Sequence, residues 1–263
     1  MCIRDSPRVY HLTYGFLGHL IGILHYKLIA SSSIPVTMHA DMQCSFYKYT
    51  KSFSYIMYNY NDPASLTPVH PSPSLKAADS INFSVIGSLS SLKNIEEAIF
   101  IFYGFLHHTP RNLHLNIFGC GARADSLLHL VHTLGLSNHV SFLGSKPTYL
   151  VHKNTDILLH SSLSEGTSRS VIESLQSFSL VIHRNISGVY SIIDHGRNGF
   201  IYESPSHAVS LLPSILSLYD ALSSSSANLP TMHTFSLLPE SYSKSSFEKS
   251  VSKLLSLFPP LES

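Results

Sequence analysis

The strongest constraint on the fold is an alternation of short apolar runs with longer helical patterns between Ile81 and Leu222. Six runs have the length of a strand and are mostly apolar, as strands buried on both faces should be. They are INFSVIG, LHLNIFG, HVSFLG, DILLHSS, SLVIHRN and GFIYES. Repeated strand–helix–strand order favours parallel pairing with right-handed crossovers. Residues 81–222 are therefore predicted to form one doubly wound α/β domain.

Five segments between these runs have helical patterns and are predicted helices or short helical turns. They are IEEAIFIFYGFLHH, RADSLLHLVHTLG, YLVHKN, SRSVIESLQ and GVYSIIDHG. Their positions suit the crossover connections that parallel strands require.

The rest of the chain is predicted to hold four further parts. Residues 1–6, MCIRDS, resemble a translated library adapter and are excluded from the fold prediction, so the chain is interpreted as an N-terminally truncated fragment. Residues 7–61 contain PRVYHL, GFLGHLIGILHYKLIA and IPVTMHA, a predicted strand, helix and strand of a partial N-terminal α/β domain. Residues 62–80 include four prolines in DPASLTPVHPSP and are a predicted linker. Residues 223–263 are predicted to form a loop and an amphipathic helix with apolar residues Phe247, Val251, Leu254, Leu255 and Phe258.

Charge and cysteine content exclude several classes of partner. The chain has 17 Lys and Arg residues and 16 Asp and Glu residues. It has no basic run that could bind the phosphate backbone of a nucleic acid, so no nucleic-acid partner is expected. Its three cysteines are widely spaced and indicate neither a disulfide framework nor a zinc site. A reducing, cytoplasmic location is the expectation.

The apolar run from Tyr14 to Ala30 raises the question of membrane contact. It contains His19, His25 and Lys27, which a membrane-spanning helix tolerates poorly near its centre. A buried or half-buried helix is the preferred interpretation, and an interfacial helix with peripheral membrane contact is the alternative.

Two carboxylates stand eight residues apart in SEGTSRSVIESLQ, residues 164–176. The first part is a loop between a predicted strand and a predicted helix, where α/β sheets bind ligands. The helix start suits a phosphate, and Gly166 allows close backbone approach. Glu173 falls on the polar side of the helix, opposite Val171 and Phe178. The alternative is an exposed helix with an Arg169–Glu173 pair worth ~0.3–0.5 kcal/mol.

An ordered set of motifs resembles the retaining glycosyltransferases of family 4, the group 1 type. The set comprises Gly87…Lys93, IFGCG, VSFLG, E-G-x6-E and DHGRNGFIY. SSLSEGTSRSVIE is most similar to the branch called glycosyltransferase 1 domain-containing protein. The resemblance implies a GT-B fold, in which two Rossmann-like domains face across a cleft and the C-terminal one, here residues 81–222, holds a UDP- or GDP-sugar donor. Residues 7–61 would then belong to the acceptor-side domain.

The resemblance also assigns roles to particular residues. Glu165 would meet the hydroxyls of the donor sugar, Glu173 would bind the ribose, and Lys93 would neutralise the diphosphate. Glu165 and Lys93 are the predicted catalytic residues, and no metal or cofactor is expected. The other predicted donor-binding residues are Gly87, Ser88, Gly119, Phe142, Leu143, Gly144, Gly166, Thr167 and Ser168. A departing nucleoside diphosphate develops negative charge, which Lys93 and the helix start are placed to stabilise.

Two further features concern the acceptor and the charge of the site. His39 and Asp41, in MHAD, follow a predicted strand and could face the acceptor. Lys93 is expected at the start of a helix, where a lone cation is disfavoured by ~0.3–1 kcal/mol. Lys93→Gln is therefore expected to leave the empty protein unchanged or slightly more stable.

The predicted function is retaining transfer of a sugar, of hexosyltransferase type, to an unknown acceptor, and the fragment alone is expected to be inactive. Departures from the family pattern favour an alternative, a nucleotide-sugar-binding pseudoenzyme. Ser88 replaces an arginine, SFSL replaces a Gly-x-Pro and Ser191 replaces a glutamate. An epimerase on the same fold is a third interpretation.

Two weaker patterns are assigned no site. His129 and His132 are three residues apart but have no third ligand at sensible spacing for a metal. GCG at Gly119 lacks the third glycine of a dinucleotide fingerprint.

Overall fold

The computed structural model describes residues 7–32, 34–58, 80–225, 237 and 239–256. The adapter-like residues 1–6, most of the predicted linker and Phe258 lie outside the described residues.

A six-stranded parallel sheet forms the centre of the larger part of the chain. Its strands are β3 (Ser80–Ile86), β4 (Asn112–Phe118), β5 (Val140–Gly144), β6 (Ile157–His160), β7 (Leu180–Arg184) and β8 (Gly199–Tyr202). The spatial order is β5-β4-β3-β6-β7-β8, and every neighbouring pair is parallel. All six predicted strands are present, so the doubly wound α/β prediction is confirmed.

Helices cover both faces of this sheet. The helices in this part of the chain are α3 (Ile95–His108), α4 (Ala124–Thr133), α5 (Thr148–Lys153), α6 (Arg169–Gln176), α7 (Pro205–Ser210), α8 (Leu212–Ser225) and α9 (Lys244–Leu255). Alternate strand residues serve two apolar layers: Ile157 and Leu159 join the core beneath α3, whereas Leu158 joins the core beneath α6. This double burial explains why the strands are continuous apolar runs.

The strand order places a switch point between β3 and β6. The chain passes from β3 outwards to β5 on one side, and from β6 outwards to β8 on the other. Ligands of open parallel sheets bind beyond the carboxyl ends of strands at such a point. Here Gly87 follows β3 and the loop containing Glu165 follows β6.

The N-terminal elements are α1 (Pro7–Ser32), β1 (Val36–Thr37), α2 (Ala40–Thr50) and β2 (Tyr55–Ile56). The predicted strand PRVYHL is wrong, because these residues form the first turns of α1, which bends at Gly15 with φ of 65°. Only two residues of IPVTMHA form a strand, and they pair in parallel with β2. A small apolar core of Tyr26, Ile29, Met42 and Phe46 joins α1 to α2.

Two regions near the C-terminal end of the sheet differ from the prediction. GVYSIIDHG forms only a short 3-10 turn, Val189–Ser191, because Gly188 precedes it with φ of 86°. Helices α7 and α8 were not assigned from the sequence. Their signal was Ser204, which caps α7 by accepting from His207, followed by Pro205 in the first turn.

Helix α1 exposes an apolar stripe. Phe16 is 74% exposed, Leu24 60% and Leu28 66%. Contiguous exposed apolar surface promotes association. None of the helices in the described ranges combines the length and hydropathy needed to cross a bilayer.

Replacing Phe16, Leu24 and Leu28 together by glutamine is expected to reduce self-association without loss of stability. Each side chain contributes little to the folded core, so the free energy of unfolding should change by about 0.5 kcal/mol or less per site. Light scattering and urea unfolding measure the two effects. Ile29→Gln, in the buried core, is the control and should destabilise strongly. Undiminished association of the triple variant would contradict this assignment.

Candidate functional site

Glycines bring the ends of β3, β4 and β5 close together. Gly87 has φ of 149° and its amide donates to Phe118, while Gly119 has φ of 139° and its amide donates to the carbonyl of Gly144. A Cβ on Gly119 would lie 1.8 Å from the carbonyl oxygen of Gly87. Only glycine fits there, which leaves open backbone at the carboxyl edge of the sheet.

Backbone contacts join the loop after β3 to the loop after β6. The carbonyl of Leu92 accepts from the amide of Leu163 at 2.9 Å and from the hydroxyl of Ser162 at 3.2 Å. The carbonyl of Lys93 accepts from the hydroxyl of Ser161 at 3.0 Å. These contacts fix the two loops across the switch point and bring Lys93 towards Glu165.

Lys93 and Glu165 form an ion pair between Nζ and Oε1. Their side chains are 23% and 19% exposed. Lys93 ends a 3-10 turn, Ser91–Lys93, and α3 begins at Ile95. The expectation that Lys93→Gln leaves the empty protein unchanged or slightly more stable is therefore wrong, because the variant would deprive a half-buried carboxylate of its charged partner.

The charge state of Glu165 follows from its neighbours. Burial would raise its pKa, but contact with His160 and the charge of Lys93 outweigh burial and hold the pKa well below its usual range. Glu165 is therefore ionised at neutral pH, as an acceptor of hydrogen bonds from sugar hydroxyls would be.

His160 was not predicted as a site residue. It ends β6, its Nε2 lies 3.1 Å from the Ser168 hydroxyl and 3.6 Å from Glu165 Oε1, and its ring stacks on that of His183 with centroids 4.4 Å apart. The only local signal was a histidine at the end of each of two apolar runs, DILLH and SLVIH.

The second carboxylate also has a histidine against it. Glu173 is 16% exposed, and its Oε2 lies 3.4 Å from Nε2 of His152, a buried residue of α5. Nδ1 of His152 lies 3.4 Å from the hydroxyl of Ser174. The prediction that Phe178 lies on the same helix, opposite Glu173, is wrong, because α6 ends at Gln176 and Phe178 has φ of 63°.

The remaining predicted donor residues lie along the same edge. Ser168 occupies the N-cap position of α6 without a capping hydrogen bond from its side chain, and the hydroxyl of Thr167 is buried beside it. Ser88 contacts Ser90 through hydroxyls 3.3 Å apart. Phe142, Leu143 and Gly144 end the edge strand β5, beside Gly119. Gly166 lies in the loop between Glu165 and α6.

The acceptor-side candidates contact the loop after β7. Asp41 Oδ2 accepts from the amide of Gly188 at 2.8 Å. His39 caps α2 by accepting from Met42, and its buried Nε2 has no protein partner within the described residues. Burial lowers the pKa of His39, while Asp41 acts in the opposite direction. A Cβ on Gly188 would lie 2.7 Å from the His39 ring.

Ser191 and Tyr242 form a contact that sequence reasoning missed. The hydroxyl of Ser191 donates to the carbonyl of Gly188 at 2.6 Å and lies 2.9 Å from the Tyr242 hydroxyl. Tyr242 in turn packs against Tyr58, with ring centroids 5.1 Å apart. Ser191 therefore links the turn after β7 to the segment that precedes α9.

A family model described as "Glycosyl transferases group 1" matches residues 69–221, more than half of the chain. The chain belongs to the group 1 glycosyltransferases.

Solved GT-B glycosyltransferases have a similar fold. A TarM variant of S. aureus, in complex with fondaparinux, alpha-GlcNAc-glycerol and UDP, matches with a TM-score of 0.72 at 15% identity over 96% of this chain. HepE of Anabaena, in complex with UDP-glucose, gives 0.68 at 16% identity over 98% of this chain and 71% of its own. Sucrose-phosphate synthase of Thermosynechococcus elongatus gives 0.74 at 13% identity over 97% and 66%. The chain spans about half of TarM, 50%.

Within the described residues, no three His, Cys, Asp or Glu side chains come together as a metal site. His129 and His132 both lie on α4.

Gly119→Ala tests the close approach of the strand ends. Both backbone strain and the clash with Gly87 should destabilise the variant by about 3 kcal/mol or more. Gly135→Ala is the matched control, because Gly135 has φ of 68° with open space around it and should cost only about 1 kcal/mol. Equal losses in urea unfolding would contradict the close approach.

Glu165→Gln tests the ion pair through its pH dependence. Since the pKa of Glu165 is lowered in the folded state, its stabilisation is present above about pH 4.5, the ordinary value, and is lost as the pH falls through the folded value. The variant should be about 1–3 kcal/mol less stable than wild type at pH 7, and the two should converge in acid.

The matched control for this measurement is Asp220→Asn, which removes an exposed pair with Arg111. Such a pair contributes about 0.2–1 kcal/mol. A Glu165→Gln effect no larger than that of Asp220→Asn, or one independent of pH, would count against a stabilising Lys93–Glu165 pair.

Proposed function

We propose that residues 81–222 bind a nucleotide-sugar donor and that the protein transfers its sugar with retention of configuration. The observation that carries this proposal is the Lys93–Glu165 pair at the switch point of the sheet, beside backbone that glycines keep open. A cation for a diphosphate and an ionised carboxylate for sugar hydroxyls stand side by side. This is the arrangement that such a donor requires.

Donor binding would rearrange this pair. The diphosphate carries more negative charge than Glu165, so it would draw the Lys93 ammonium towards itself and offset the charge that develops on the leaving group. Glu165 would then accept from the hydroxyls of the sugar. The pair is thus the resting form of two groups that act on different parts of one ligand.

The rest of the ligand would follow the edge of the sheet. Amides of Gly166, Thr167 and Ser168 precede α6 and would face the sugar and diphosphate. Glu173, oriented by His152, would bind the ribose hydroxyls. The backbone of Phe142 to Gly144 would contact the base, with Gly87, Ser88 and Gly119 lining the space between.

The proposal extends to finer assignments. We place the protein in family 4, as a hexosyltransferase that needs no metal, with His39 and Asp41 on the acceptor side of the cleft. UDP is the first donor nucleotide to test, since TarM and HepE were solved with UDP or UDP-glucose. A cytoplasmic or membrane-associated location suits a nucleotide-sugar donor.

A second candidate is a binding protein without turnover. Ser88 and Ser191 favour it, because each hydroxyl is engaged with a nearby hydroxyl or carbonyl and neither provides a charge to the cleft. An assay of the longest natural form of the protein against UDP- and GDP-sugars separates the two functions. Turnover supports transfer, whereas tight binding with no turnover supports the second candidate.

Lys93→Gln is expected to weaken UDP binding about 10-fold or more, because a charge-assisted hydrogen bond contributes roughly 1.5–3 kcal/mol. Calorimetry and the shift in melting temperature caused by UDP measure this loss. Lys249→Gln is the control, because it removes the same single positive charge from an exposed position on α9. An undiminished shift in Lys93→Gln would remove Lys93 from the site.

Glu173→Ala is expected to weaken UDP binding by a similar factor while the far-ultraviolet circular dichroism stays that of wild type. The side chain contributes hydrogen-bond acceptors and little core volume. Unchanged affinity for UDP would refute the ribose assignment.

A further inference from the structure

His160 lies close to two residues of the loop between β6 and α6: Glu165, the proposed sugar-binding carboxylate, and Ser168. The side chain is 4% exposed. Its Nε2 lies 3.6 Å from Oε1 of Glu165 and 3.1 Å from the hydroxyl of Ser168. One ring nitrogen thus faces Glu165, in the middle of that loop, and Ser168, the last residue before α6.

His183 restricts the orientation of that ring. It occupies the paired position on β7, and the two rings stack with an interplanar angle of 32°. Nδ1 of His183 donates to the backbone carbonyl of Arg184 at 2.6 Å. Burial, together with the nearby His160, lowers the pKa of His183 to about 3, so the stacked partner is neutral.

His160 is neutral as well, because burial lowers its pKa. A neutral imidazole has one N–H, and its position follows from the surroundings. Nδ1 is buried and has no hydrogen-bond partner among the described residues, whereas Nε2 faces a carboxylate and a hydroxyl. The proton therefore belongs on Nε2, where acceptors are present.

When the sugar donor binds, Glu165 requires a new hydrogen-bond donor. In the empty site Glu165 Oε1 is paired with Lys93. Under the proposed function, Lys93 turns to the diphosphate and Glu165 loses that partner while remaining largely buried. Nε2 of His160 lies 3.6 Å from the same carboxylate oxygen, so a small movement of Glu165 away from Lys93 would bring the carboxylate within hydrogen-bonding distance of the Nε2–H.

We propose that His160 is a positioning residue that holds Glu165 in its sugar-binding orientation when Lys93 engages the diphosphate. The inference rests on the proposed donor site. The contact of His160 with Ser168 also holds the start of α6 in position. His160 acts through Glu165, so its loss should affect recognition of the sugar and leave recognition of the nucleotide.

The experiment compares affinity for UDP with affinity for UDP-sugars in each variant. The UDP-sugars are UDP-glucose, UDP-galactose and UDP-N-acetylglucosamine. The measured quantity is the dissociation constant for UDP divided by the dissociation constant for the UDP-sugar. We expect His160→Leu to lower this ratio at least 5-fold for the best sugar, with UDP affinity within 2-fold of wild type. His160→Gln, whose amide can donate, should recover most of the ratio. His183→Phe, which keeps a stacked ring, should retain it.

Each outcome decides a different point. If the wild type does not bind UDP, the proposed function fails. If UDP binds but no sugar improves affinity, or if His160→Leu keeps the wild-type ratio, the positioning role is overturned while nucleotide binding stands. Equal losses for UDP and UDP-sugar would indicate a structural role and would also overturn it.

A measurement on the wild type alone guards against a variant that does not fold. Long-range ¹H–¹⁵N spectra of the histidine rings report which nitrogen carries the proton. The expected result is the Nε2–H form of His160 in the empty protein, with a change in its Nε2 resonance on addition of UDP. An Nδ1–H form, or an Nε2 resonance that UDP leaves unchanged in a protein that binds UDP, would refute the inference.

Discussion

The ion pair between Lys93 and Glu165 joins the two strands at which the sheet reverses its winding. Two half-buried charges are costly unless each has a partner, so the loops that carry them must be held at a fixed separation. The hydroxyls of Ser161 and Ser162 provide this by donating to the carbonyls of the opposite loop. The glycines at the neighbouring strand ends then leave the pair beside open backbone, where a ligand can reach it.

Much of the fold could be predicted because burial on both faces gives each strand a continuous apolar run. The ends of IEEAIFIFYGFLHH, for example, coincide with those of α3. The strand prediction for PRVYHL failed because six residues fit both the helical and the strand periodicity. The bend at Gly15 also separates them from the rest of α1. The helix prediction for GVYSIIDHG failed because the apolar spacing suggested a helix, whereas Gly188 at its start has a left-handed conformation and only a short 3-10 turn forms.

Less of the site could be predicted, since its decisive contacts are distant in sequence. Lys93 and Glu165 were selected by their motifs, but their mutual pairing across 72 residues was not foreseen. The stacking of His160 on His183 depends on strand register, which no local pattern encodes. The contact of Glu173 with His152 likewise depends on how α5 packs against α6.

A neutral hydrogen-bond donor beside Glu165, such as the His160 imidazole, has a physical advantage over a second cation. Another lysine or arginine would bind the carboxylate more strongly in the empty site, but its charge would also attract the diphosphate and compete with Lys93 for it. A buried neutral imidazole is directional and carries no net charge, so it can orient Glu165 without drawing the phosphate into the sugar position. The stacked His183 adds to this by keeping the ring in place and, through burial, helping to keep it uncharged. In the proposed donor site, the charge for the diphosphate would thereby be confined to Lys93, and the geometry for the sugar would be maintained by uncharged groups.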